Sequence, residues 1–176
     1  MNAAKRILGR LRPTLGRALL FVVLLLVLGG AVTWITNSES ALGWIRGAVA
    51  RSTSVVLNAV GQGTSVRGGH TVASERFSIS VVTACTGLFL MAVFSAAVLT
   101  YPARWWAKLA GLGIGVAGLY MLNVLRLVCL FFVGVFLPQH VDVTHLLVLQ
   151  SLLIVSALLL WLLWVEKVAH GSIRKS

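Results

Sequence analysis

Four long apolar runs, at residues 18–35, 84–100, 109–136 and 145–165, leave this chain little choice of fold. A helix needs about 20 apolar residues, rising about 1.5 Å each, to cross a hydrocarbon core of about 30 Å. Within that core a backbone must satisfy its own polar groups, which helices do. Hydrophobic residues make up 59% of the 176, against about half in a soluble domain. Mean hydropathy is +0.96. The expected fold is an all-α integral membrane protein with about four transmembrane helices and a small extracytoplasmic segment. The third run exceeds one simple crossing, so residues 127–136 must protrude, tilt or bend back.

Residues 1–17 form a basic tail with Lys5, Arg6, Arg10, Arg12 and Arg17. The apolar run behind it is longer than the hydrophobic region of a signal peptide and lacks a clean small-x-small cleavage site, so residues 18–36 read as a retained anchor. Lysine and arginine gather in cytoplasmic loops. That rule puts this tail, the loop with Arg104 and Lys108, and the tail at residues 166–176 with Lys167, Arg174 and Lys175 inside. Residues 37–83 and 137–144 then face outward. Arg46, Arg51, Arg67 and Arg76 run against the rule, but a longer loop translocates largely regardless of charge. The net charge of +11 thus signals topology and contact with anionic lipid. No groove of mixed basic and aromatic residues marks nucleic-acid binding.

In the outer segment, Leu42, Ile45, Val49, Val56 and Val60 recur near helical spacing, which predicts an interfacial helix or a re-entrant piece. Residues 64–82 read as a hairpin around Gly68-Gly69 that covers the outer face near Cys85. Residues 84–165 form the membrane core.

Within that core three polar residues fall at one level. Arg126 lies eighteen residues of helix from Lys108, a rise of about 27 Å that brings it near the outer interface. Cys85 and His145 open the second and fourth runs at the same face. An intramembrane arginine is costly and calls for a partner, and the chain has only Glu39, Glu75, Asp142 and Glu166 as acids. A thiolate can substitute. With Thr83 as helix cap, Cys85 occupies a first turn, where free N–H groups lower a thiol's pKa. With Asp142 or Thr144 as cap, His145 sits likewise and stays a neutral base. Nucleophile, base and cation are then together.

Ala84-Cys85-Thr86-Gly87-Leu88, then Asn123-Val124-Leu125-Arg126-Leu127, then His145 at the start of a following helix, resemble the exosortase/archaeosortase family of membrane transpeptidases. The resemblance covers roughly residues 66–164. It implies a bacterial inner-membrane cysteine enzyme that cleaves exported proteins at a C-terminal sorting signal: a short motif, an apolar helix and a basic tail. It implies Cys85 as nucleophile, His145 as general base and acid, and Arg126 as stabiliser of the oxyanion or thiolate. Thr86 stands where serine is usual, and the chain is shorter than the many-span members, similar to a compact subtype such as exosortase H.

Asn123, Thr86 and Asp142 are secondary candidates for binding or orienting substrate. Cys129, one turn beyond Arg126, is a rival nucleophile or a disulfide partner for Cys85, with packing its ordinary role. His140, Asp142 and His145 form an H-x-D-x-x-H run that could bind a metal, but a cap plus a base explains it and no metal is expected. No phosphate-binding loop suggests a cofactor. His70 and His170 read as solvated. Gly111, Gly115 and Gly118 predict close helix packing. The competing reading is a non-enzymatic membrane scaffold or lipid-binding subunit, with Arg126 on a phosphate headgroup.

Overall fold

The computed structural model describes residues 2–169, so His170, Arg174 and Lys175 lie outside the described residues, as do the side chains of Lys5, Arg6, Arg10 and Arg12. Helix α1 (Asn2–Asn37) is a single rod. Residues Thr14–Asn37 of it are long and apolar enough to cross a membrane, as are Trp105–Phe136 and Pro138–Lys167. No described side chain of α1 is fully buried; it runs beside α3 (Leu88–Thr100), with Phe21, Leu24, Leu25, Leu28, Val32 and Ile35 half-buried and the rest of its apolar side chains facing outward. Helix α3 has 13 residues, a rise of about 20 Å, so it is the one apolar rod shorter than a hydrocarbon core. Tyr101 and Arg104 are extended, and α4 (Trp105–Phe136) begins at once. Lys108 donates to the carbonyl of Leu99, placing a cation at the C-terminal end of α3.

The long run does not bend. Helix α4 is continuous for 32 residues, about 48 Å, and its C-terminal end, the outer end on the expected topology, rises past Arg126 into a cap built by residues 39–80. Helix α2 (Glu39–Ala59) buries Leu42, Val49, Ala50 and Leu57 against that end and leaves Trp44 and Val55 exposed. Val56 and Val60 are also exposed, so the apolar stripe follows Leu57 instead. The expected hairpin is a three-stranded antiparallel meander of β1 (Ser65–Arg67), β2 (Thr71–Ala73) and β3 (Ser78–Ser80), with Val66 opposite Val72 and Val72 opposite Ile79. Asn58 fixes its entry: Nδ2 donates to the carbonyl of Thr64, and the Thr64 N–H donates to Oδ1.

Two cores result. The outer one joins Val49 and Leu57 of α2, Val72, Ile79 and Val81 of the sheet region, and Leu127, Leu130 and Phe131 of α4. Phe77 lies edge-on to Phe131, with ring centroids 5.9 Å apart, and covers Gly134, where a methyl group would overlap its ring. The inner core joins Phe94 and Val98 of α3, Leu119 of α4, and Ala157 and Trp164 of α6 (Gln150–Trp164). Gly111 and Gly115 do bring helices close, but as sockets: the first receives the Trp164 indole and the second the Phe94 ring.

Candidate active site

Cys85 does not open a helix. Residues Thr83–Cys85 form one 3-10 turn, and α3 starts only at Leu88. Gly87 makes the junction with φ +73°, a left-handed conformation natural to glycine. Nor does Thr83 cap α3. Its Oγ1 accepts from Arg46 Nη2 at 2.7 Å, and its carbonyl accepts from Thr86 Oγ1 at 2.7 Å. The turn is therefore tied to α2 from one side and to itself from the other. Asn123, fully buried on α4, donates from Nδ2 to the Cys85 carbonyl at 2.7 Å. A Cβ on Gly87 would lie 3.3 Å from Asn123 Cγ, so the glycine gives the amide its room as well as the chain its turn.

The thiol is buried, 3% exposed, in the outer core. Burial is the largest influence on it and pushes its pKa up, opposed by the positive charge of Arg126 and by the backbone at Val82. This corrects the expectation of a thiol acidified by a helix N-terminus: α3 begins past Gly87, so its free N–H groups do not lie at Cys85.

His145 is also placed otherwise than expected. The chain is already helical through α5 (Val141–Val143), and Thr144–Leu149 is a π-helical stretch between α5 and α6. Neither Asp142 nor Thr144 caps it. Asp142 is exposed one turn earlier and forms no hydrogen bond or ion pair among the described residues, although its charge reaches His145. The wider π turn carries the imidazole at its start, a local geometry often found at functional sites. His145 Nε2 is 3.8 Å from Cys85 Sγ. Arg126 Nη2 is 3.4 Å from Nδ1 and 3.5 Å from Nε2 of the same ring. A guanidinium only donates and a neutral imidazole has one unprotonated nitrogen, so the ring can accept from Arg126 at one of these positions and not at both; with the hydrogen on Nδ1, the basic nitrogen is Nε2, the one that faces Cys85 Sγ.

Arg126 is 5% exposed, and its Nε and Nη1 have no partner among the described residues. A buried guanidinium with idle N–H groups is expensive to keep, unless the acceptor is something that arrives. The three residues named from sequence thus converge, and Thr86 and Asn123 brace the turn beneath them. His140 and His70 stand apart, and Asp142 acts on His145 through its charge alone. Cys85 and Cys129 are both free, and Cys129 is exposed rather than packed, in a small groove beside Arg126. No cluster of metal-ligating side chains occurs among the described residues. Arg46 was missed by sequence reasoning, since its link to Thr83 spans 37 positions.

A sequence model described as transmembrane exosortase matches residues 7–164. The chain belongs to this family. It is also 47% identical over 53 residues to Archaeosortase A of Haloferax volcanii. That match takes in 30% of this exosortase-family chain and 18% of the archaeosortase. No solved structure matches the chain.

Proposed function

We propose that this chain is a membrane-embedded cysteine transpeptidase or protease that cleaves C-terminal sorting signals of exported proteins at the outer face of the bacterial inner membrane. The observation that carries the reading is the convergence of a thiol, an imidazole and an under-used buried guanidinium on one point. Family membership supports it.

His145 Nε2 takes the Cys85 proton as sulfur attacks the scissile carbonyl carbon, and a C–S bond forms while the carbonyl π pair moves to oxygen. Idle N–H groups of Arg126 receive the oxyanion. On collapse the C–N bond breaks, and His145 gives its proton to the departing amine. The thioester then passes to an incoming amine or water, whose proton returns through His145 to the sulfur. Asn123 and Thr86 hold the turn so that sulfur, ring and guanidinium keep their spacing. Membrane lipids and an exported protein with a motif, apolar helix and basic tail are the partners.

The test is processing of an exported reporter that carries such a C-terminal segment from a protein of the same cell. Loss of cleavage in Cys85→Ala, Arg126→Ala and His145→Ala, with cleavage kept in Cys129→Ala, supports the assignment. Cleavage retained by Cys85→Ala rules this nucleophile out.

A further inference from the structure

Two cavities lie end to end beside α3. One of about 640 Å³ sits at the outer end, against Thr36 of α1, Thr83, Thr86, Arg126 and Gln150. Another of about 490 Å³ extends inward past Phe21 of α1, Ala97, Ala157 and Trp161. Leu90, Val93 and Ile154 line both, so the two are stretches of one groove between α3 and α6, with α1 along its flank. Polar groups gather at its head, beside the turn that carries Cys85. The rest is apolar apart from the Trp161 indole N–H at the inner end and Thr100, whose hydroxyl is already bonded to the carbonyls of Ala96 and Ala97.

We propose that this groove holds the transmembrane helix that follows the scissile bond in the substrate. The inference rests on the enzymatic reading above and adds where the substrate lies. A ligand for this groove must be polar at one end, where Arg126 has N–H groups without acceptors, and apolar beyond. From Gln150 to Trp161 the groove runs eleven residues of α6, about 16 Å, or three turns of a docked helix. Ala97 and Ala157 on its lining let a helix backbone approach closely, a surface that an acyl chain does not need. The α1 wall contributes half-buried side chains only, Phe21, Val32 and Thr36 among them, so an occupant meets it along its surface and does not have to open a sealed core. At the inner end the Trp161 Nε1 is buried and has no partner among the described residues, a second donor left over in the closed groove.

The experiment places a photo-crosslinking amino acid at Val93 or Ile154 in the groove, and at Ile114 or Met121, exposed on α4, as the comparison. The full-length Cys85→Ala chain is co-expressed with the same C-terminal reporter, whose cleavage by wild type is followed in parallel. Cross-links to the reporter's helix from Val93 and Ile154, and not from Ile114 or Met121, are expected. Ala157→Trp should abolish processing while iodoacetamide still alkylates Cys85 at the wild-type rate. If wild type cleaves the reporter but the groove positions capture only phospholipid or a second copy of this chain, the groove assignment is wrong and the enzymatic reading stands. If wild type leaves the reporter uncut and the groove positions fail to capture it, both fall.

Discussion

The outer and inner halves of this bundle are held together by different means. The inner half is long helices and apolar side chains, with the rings of Phe94 and Trp164 seated on Gly115 and Gly111 and the Trp164 N–H bonded to the carbonyl of Ala107 at 2.8 Å. Tyr101 lies edge-on to Trp161 and Trp164, which closes that end. The outer half is short elements fastened by polar bonds: one each from Arg46 to Thr83, Tyr120 to Ser52 and Asn123 to Cys85, and three between Asn58 and Thr64. It also contains the left-handed Gly87 and the π stretch at His145. Packing of the inner kind resists local change, while bonded turns can fix one side chain against another to a fraction of an ångström. The difference separates what keeps the chain folded from what the site does.

Damage should separate in the same way. On the proposed mechanism the largest effect falls on Cys85→Ala: processing drops by about a thousandfold or more, the scale of losing a nucleophile, with thermal unfolding in detergent unchanged or improved. Arg126→Gln comes next, at about a hundred- to a thousandfold for a lost oxyanion donor. Its signature is also a pH profile. The thiolate is the form that alkylates, and the thiol's pKa lies above its ordinary value, so alkylation of Cys85 should accelerate as pH rises through neutrality. Removing the guanidinium removes a charge that lowers that pKa, so the profile must move to still higher pH. A profile that moves to lower pH breaks this account of the electrostatics.

Gly115→Leu reverses the pattern. A larger side chain must displace the Phe94 ring, and overpacking of this kind costs about 1–3 kcal/mol or more. Lower thermal stability is expected, with alkylation of Cys85 in the surviving folded fraction at the wild-type rate. Equal loss of both would mean the two cores are one unit.

The inner half is the half that could be read from sequence. Bilayer thickness and helix rise fix lengths, so the apolar runs follow from counting; the common level of Cys85, Arg126 and His145, at the edge of the outer half, follows from the same count, though the local structure that presents them does not. The outer half departs wherever a distant residue intervenes. Thr83 looks like a cap until Arg46 takes its oxygen, and the start of α3 slips to Leu88 because Asn123 and Gly87 fit together. The end of α4 continues as helix because α2 and the meander cover it, a tertiary effect that local pattern does not encode. Three-residue strands are too short to declare themselves, so residues 64–82 read as a two-stranded hairpin where three strands pair. His145 was identified by its residue type and level, while the π turn that presents it left no mark in the sequence.

The smallest effect tests how the outer cap is fastened. Tyr120 and Ser52 share a hydrogen bond of 2.9 Å between α4 and α2, and Arg46 links α2 to the Cys85 turn one and a half helical turns away. Tyr120→Phe keeps the ring and removes only the hydroxyl, so the expected loss is about 0.5–1.5 kcal/mol of stability. Arg46 still holds Thr83, and processing should remain near wild type. Arg46→Gln should show the opposite balance: a small change in unfolding temperature, but slower processing, because the turn that aims the sulfur loses its tie to α2. If Tyr120→Phe slows processing as much as Arg46→Gln does, the position of α2 as a whole controls the site. If only Arg46→Gln slows it, the control runs through Thr83 alone.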